Sequence, residues 1–135
     1  LIYGGEITEN ELLELKSNYL QSLYKLNASS GMYNLSKRKY ELLKELSDLE
    51  AYYLMDRKSA KEHLNEAMKI SEINEKDKAE LKLQLADVLV LENNIWEASL
   101  MYMQIEKMFK NDPLGHQAKF KNAQVYYYAG EFDWC

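Results

Sequence analysis

The chain has little of what interrupts a helix. One proline and five glycines in 135 residues leave few places to break a regular backbone. That disfavours a strand-and-turn fold and predicts long helices. The single cysteine, Cys135, excludes an internal disulfide and any metal site built on several cysteines. Cations are in deficit, with 17 Lys and Arg against 22 Asp and Glu, a net charge of −5 and a pI near 5.1. Phosphate binding needs a concentrated basic face, so no nucleic-acid partner is expected. The only basic run, residues 37–39, is followed by Glu41 and Glu45 and reads as a solvated helix face. No apolar run approaches the roughly 20 residues of a membrane span, so no membrane insertion is expected. No signal peptide is visible.

What is present is helical patterning. At 47% hydrophobic and 29% charged, the chain is long enough to bury a sizeable core as one domain, 1–135. Residues 85–109 organise it. Leu85, Ala86, Leu89 and Val90 make an apolar stripe, Glu92, Asn93 and Asn94 a turn, and Ile95, Ala98, Tyr102 and Ile105 a second stripe. Small Ala86 and Ala98 let the two backbones approach. Upstream, Thr8 and Glu11 have capping-box spacing. They open a helix marked by Leu12, Leu15, Tyr19, Leu23 and Leu26. A loop over 27–34 precedes a helix over about 36–55, striped by Tyr40, Leu43, Leu46, Leu49 and Tyr53. Ser59 and Glu62 suggest a second capping box, followed by Ala60, Leu64 and Ala67 on an inner side. Residues 74–78 read as a charged connector. Asn111, Asp112 and Pro113 break the chain before a helix over 114–129, since proline suits a first helical turn. Gly130 is expected to turn the chain into a helix that 131–135 only begins.

The hairpins recur. Thirty-eight residues separate Ala60 from Ala98 and 37 separate Ala98 from Cys135, while 37 separate Ala86 from Ala123. Asn93 then matches Gly130, and Ile95 matches Phe132. This pattern resembles the tetratricopeptide repeat (TPR), a family with about 34 residues per unit and small and aromatic residues at set places in two helices. Ala123, Tyr126, Gly130 and Phe132 fill those places in the third unit, with Cys135 where Ala is usual. Ala86, Ala98 and Tyr102 fit in the second, with Leu89 for the aromatic and Asn93 for the Gly. The first keeps Ala60 and Ala67 but has Leu64 for the aromatic and Asp48 for the small residue. The wording WEA, KNDP, GHQAKF and GEFDW is similar to a bacterial TPR group of scaffolds. The resemblance implies an all-α fold of about six helices and the start of a seventh, stacked as a right-handed α-solenoid. It divides the chain into a lead-in and helix at 1–35, units at 36–73 and 74–111, and an incomplete unit at 112–135. Because the chain opens on leucine, it reads as a fragment of a longer protein, and localisation stays open between bacterial cytoplasm and periplasm.

Chemistry finds little support in the residues. His63 lies beside Glu62 and one turn from Glu66, far in sequence from His116. A metal site needs three or four convergent ligands, so His63 reads as an exposed histidine on a charged helix. The acidic residues alternate with Lys at surface spacing. No phosphate loop, G-x-S-x-G or H-E-x-x-H is present. No cofactor and no catalysis are expected. Tyrosine is the unusual residue, with 11 in the chain. The resemblance implies a concave face lined by first helices of the units, which maps to Tyr52, Tyr53, Asp87, Leu91, Lys121, Gln124, Tyr127 and Tyr128. Aromatic side chains there suit peptide recognition. For any single tyrosine, packing between repeats is the stronger reading. The Lys and Asn of carboxylate-capturing TPR domains are missing: those places hold Glu45, Leu83 and Phe120, and Leu49, Asp87 and Gln124. The function expected is protein–protein interaction or scaffolding. A sensory or regulatory domain of a larger protein and a plain spacer are the alternatives. Phe120, Val125, Tyr126 and Phe132 are expected to be partly uncovered at an open C-terminal end, through which the protein would self-associate unless a continuation of the chain covers it.

Overall fold

A computed structural model describes residues 8–28 and 33–133, with side chains over 8–25 and 36–127. Within these the protein is all-helical, with six α-helices and no strand. They are α1 (Glu9–Ala28), α2 (Tyr33–Asp48), α3 (Arg57–Met68), α4 (Glu75–Leu91), α5 (Ile95–Met108) and α6 (Pro113–Asp133). A π-helical turn, Leu49–Tyr53, continues α2. The chain divides into two compact units, Leu1–Asn74 and Glu75–Cys135.

In the first unit, α2 packs against both α1 and α3. The expected capping box opens α1: the Glu11 amide donates to Thr8 Oγ1 and the Thr8 amide to Glu11 Oε1, each at 3.1 Å. The apolar stripe of α1 is only partly as read. Leu12 and Tyr19 are half-buried and Leu23 is buried, but Leu15 faces water and Lys16 takes an inward place. The core is formed by Leu43, Leu46, Leu49, Leu64 and Ala67. Ser47 is fully buried, and its hydroxyl lies 2.8 Å from the Leu43 carbonyl and 3.2 Å from that of Ala60 on α3. This small residue, not the exposed Asp48, lets α3 approach α2.

The one-residue offset has a structural cause. Thirteen residues separate Ser47 from Ala60, and twelve separate the fully buried Ala86 and Ala98. The π turn between Ser47 and Ala60 accommodates a residue more than a regular helix would. The chain then leaves through Met55, which has a positive φ of 58°. The cap of α3 also differs from expectation. Asp56, not Ser59, accepts the free amide, with Ser59 N–H donating to its carboxylate at 3.2 Å.

In the second unit, α4 is covered on most sides. Ala79, Leu83, Ala86 and Leu89 meet Ala98, Tyr102 and Ile105 of α5 and Leu114, Ala118 and Val125 of α6 in one cluster. The charged residues of α4 gather mostly in its first half, and from Leu83 to Leu89 buried residues occur all round the helix, which is why its pattern lacks a single polar face. The turn between α4 and α5 falls where expected, and Asn93 takes its left-handed position with φ 65°. Pro113 opens α6, with the Leu114 amide donating to Asp112 Oδ1 at 2.9 Å. Gly115 lets the first turn of α6 pass close to the end of α5. A Cβ there would overlap the Phe109 carbonyl oxygen and lie 2.7 Å from its carbon.

Two expectations for the third unit are corrected. The backbone does not turn at Gly130: α6 runs on to Asp133. Glycine permits a turn without requiring one, and a helical glycine costs only about 1 kcal/mol relative to alanine. Ala123, matched to Ala86 at the small-residue place, is exposed where Ala86 is buried. Of the residues expected to be uncovered, Phe120 and Tyr126 are exposed and Val125 is buried. The side chain of Phe132, and Cys135 altogether, lie outside the described residues.

Candidate functional site

Each unit contains a polar cluster, and the second adds an exposed apolar row. In the first unit the π turn carries Glu50 inward, where its side chain is fully buried. A lone buried carboxylate is costly, so it must be hydrogen-bonded and charge-matched. His63 supplies the hydrogen bond and Lys16 the matching charge. Lys16 Nζ of α1 lies 2.9 Å from Oε2, and His63 Nδ1 of α3 lies 2.6 Å from Oε1. Lys16 also reaches Asp56 Oδ2 at 3.6 Å. Burial acts to lower the Lys16 ammonium, but Glu50 and then Asp56 outweigh it and hold it above its ordinary value. The Glu50 hydrogen bond likewise holds the His63 imidazole above its ordinary value, against burial.

His63 is therefore not the exposed residue read from its neighbours. Its side chain is 20% exposed, and its partner is 13 positions away. Sequence reasoning paired it with Glu62 and Glu66 along its own helix and missed Glu50 across the unit. The signal available was an acid at an otherwise apolar place near the end of α2. Among the described residues no group of three His, Cys, Asp or Glu could hold a metal ion.

In the second unit Asp87 joins three helices. Tyr102 of α5 donates its hydroxyl to Oδ1 at 2.5 Å, and Lys121 of α6 meets Oδ2 at 3.0 Å. Tyr102 is almost fully buried, so its ring packs while its hydroxyl reaches the polar edge. Nearby, buried Ser99 donates to Asn122 Oδ1 at 2.8 Å and shares a hydroxyl–hydroxyl hydrogen bond with Tyr126 at 3.2 Å. These bonds fix α6 on α5.

The structure thus brings Asp87 and Lys121 together. Leu91, the last residue of α4, is half-buried, while Gln124 and Tyr127 are exposed on α6. Tyr52 and Tyr53 are exposed on the π turn of the first unit. The side chain of Tyr128 lies outside the described residues. With both oxygens of Asp87 occupied, little acidic charge is left to attract a basic anchor. The basic run at 37–39 is spent locally: Lys37 lies over the Tyr40 ring at 4.8 Å, Arg38 lies 3.8 Å from Glu41, and Lys39 lies 3.8 Å from Glu66. No described helix is long and apolar enough to cross a membrane.

The feature that sequence reasoning missed is on α5. Trp96 is 79% exposed, Leu100 55% and Met103 48%. They recur at i, i+4 and i+7, opposite the buried Ala98, Tyr102 and Ile105, and exposed Lys107 extends the same line. Tyr126, bonded to Ser99, flanks them on α6.

No family model, curated protein or solved structure matches the chain. The TPR resemblance accordingly rests on the residues of this chain alone.

Proposed function

We propose that the protein is a non-catalytic protein-interaction module and that the outward row on α5 is its docking surface. The single observation that carries this is the alignment of Trp96, Leu100 and Met103 on the side of α5 facing away from its own core. Scattered apolar residues are ordinary on a surface, but a contiguous row with an aromatic flank marks a contact site. Trp and Tyr concentrate binding energy when a partner covers them. The partner that fits is an amphipathic helix, whose apolar ridge lies along the row. A carboxylate near its end would meet Lys107. The tyrosine-lined face expected from the TPR resemblance is a secondary surface in this reading, since Asp87 is already neutralised by Lys121.

The test is a titration with a synthetic amphipathic helix carrying Leu on one face and Glu on the other. Trp134 is replaced by Phe so that Trp96 is the fluorescent reporter. Saturable binding with a blue shift of Trp96 emission, weakened by Leu100→Glu, is the expected result. Binding that leaves Trp96 unchanged, or no binding at all, would overturn the assignment.

A further inference from the structure

The buried cluster of the first unit has a second consequence, independent of the α5 row. We propose that Lys16, Glu50 and His63 form a latch in which α1 and a proton compete for one buried carboxylate. In this arrangement α1 is held when His63 is neutral and loosened when His63 is charged.

The geometry supplies both competitors. Lys16 approaches Oε2 of Glu50 from α1, and His63 approaches Oε1 from α3. The bond between Glu50 and His63 joins the π turn to α3 and does not involve α1. Lys16 is the cation that α1 is seen to bring to this carboxylate. With His63 neutral, the full charge of Glu50 attracts Lys16. With His63 protonated, that charge is matched from the other side, and two like charges share one anion. The remaining charged neighbours do not cancel this effect. Of the three latch residues Asp56 meets Lys16, at 3.6 Å, and its other oxygen is taken by the Ser59 amide. Glu66 acts on His63 from its own helix and is engaged by Lys39 of α2 at 3.8 Å.

The rest of α1 is weakly held, which makes one ion pair decisive. Among its described side chains only Leu23 is buried, while Leu13, Leu15, Leu20 and Tyr24 face solvent. An open surface groove of about 230 Å³ runs between α1 and α2, lined by Leu15, Tyr19, Arg38, Leu42 and Glu45 among others. Elements with few buried contacts open at the low end of a protein's stability range. Linkage makes the coupling reciprocal: whatever protonation does to α1 docking, docking does to protonation.

Amide hydrogen exchange of the whole protein tests this, at about pH 5.5 and about pH 8, either side of the ordinary imidazole value of about 6.5. Rates are corrected for intrinsic exchange, and α2 and α3 serve as internal references. Protection of α1 is expected to fall about fivefold at the acid pH, a modest coupling between sites. His63→Gln should flatten that difference. Lys16→Met should lower α1 protection at both pH values and raise the His63 midpoint measured by NMR. Protection of α1 in the wild-type protein that is flat with pH, or that rises on acidification, overturns the latch. So does a His63 midpoint unmoved by Lys16→Met.

Discussion

Replacing Gly115 by alanine sets two effects of opposite sign against each other. Helix propensity alone favours alanine by about 1 kcal/mol. The space available opposes it. The added methyl would overlap the Phe109 carbonyl oxygen, lie 2.7 Å from its carbon and 3.5 Å from the Glu106 carbonyl oxygen. All three are backbone atoms, so no side chain can swing away. Relief requires the first turn of α6 to lift from the end of α5, where Phe109 N–H bonds Ile105 and Asp112 N–H bonds Phe109. Leu114 and Ala118, buried in the core just beyond, would shift with it. Overpacking of this kind costs about 1–3 kcal/mol, and the backbone character of the contact places it at the upper end. The net expectation is a loss of about 2 kcal/mol. Urea unfolding followed by circular dichroism measures it. In the thermal melt, each kcal/mol shifts the midpoint by about 4–8 °C for a domain of 60–100 residues. A Gly115→Ala protein as stable as the original, or more stable, would falsify the close approach.

Three further perturbations follow from named contacts. Asp56→Ala removes the cap of α3 and should cost about 1 kcal/mol, read as a lower urea midpoint with an unchanged slope. Tyr102→Phe keeps the packed ring but deprives Asp87 of one of its two partners. A loss of about 1.5 kcal/mol is expected from a hydrogen bond to a charged group, and an unchanged midpoint would mean the hydroxyl contributes nothing. His63 has a raised folded value, so its stabilising share is complete below the unfolded value of about 6.5 and fades as pH rises through the folded one. The stability difference between wild type and His63→Gln should therefore be largest in acid and shrink towards alkaline pH. The His63 share of stability and the protection of α1 move in opposite directions on acidification, which separates the two readouts.

The parts of this fold that were legible in the sequence are those set by local chemistry. The turn at Asn93 needs a residue tolerant of left-handed backbone, and the start of α6 needs a proline with an acceptor before it. Ala86 and Ala98 are fully buried because two backbones meet there. What was illegible depended on partners distant in sequence. Lys16 in an inward stripe scores as polar until Glu50 is known to face it. Glu50 in turn is placed by a π turn, which leaves no periodic signature because it adds a single residue to an otherwise regular helix. The same added residue displaced the small-residue match from Ser47 to Asp48. Gly130 looked like a turn because glycine permits one, yet nothing there forces the helix to stop. The apolar row on α5 was hidden for the opposite reason. Its apolar residues occupy both faces, and a stripe counted from Ile95, Ala98, Tyr102 and Ile105 leaves Trp96, Leu100 and Met103 unread.

The most direct measurement of the docking surface compares the affinity of the amphipathic Leu/Glu helix for the wild-type protein and for the Leu100→Glu, Met103→Glu double variant, with thermal melts of both. Tyr52→Ala and Tyr53→Ala, exposed in the other unit, serve as controls. The account predicts a loss of at least about tenfold, equal to 1.4 kcal/mol, in the double variant, with an unchanged melting temperature because these side chains do not pack in the core. The controls should bind as the wild type does. Equal affinity in the double variant, or a loss matched by the tyrosine controls, would contradict the assignment of the α5 row.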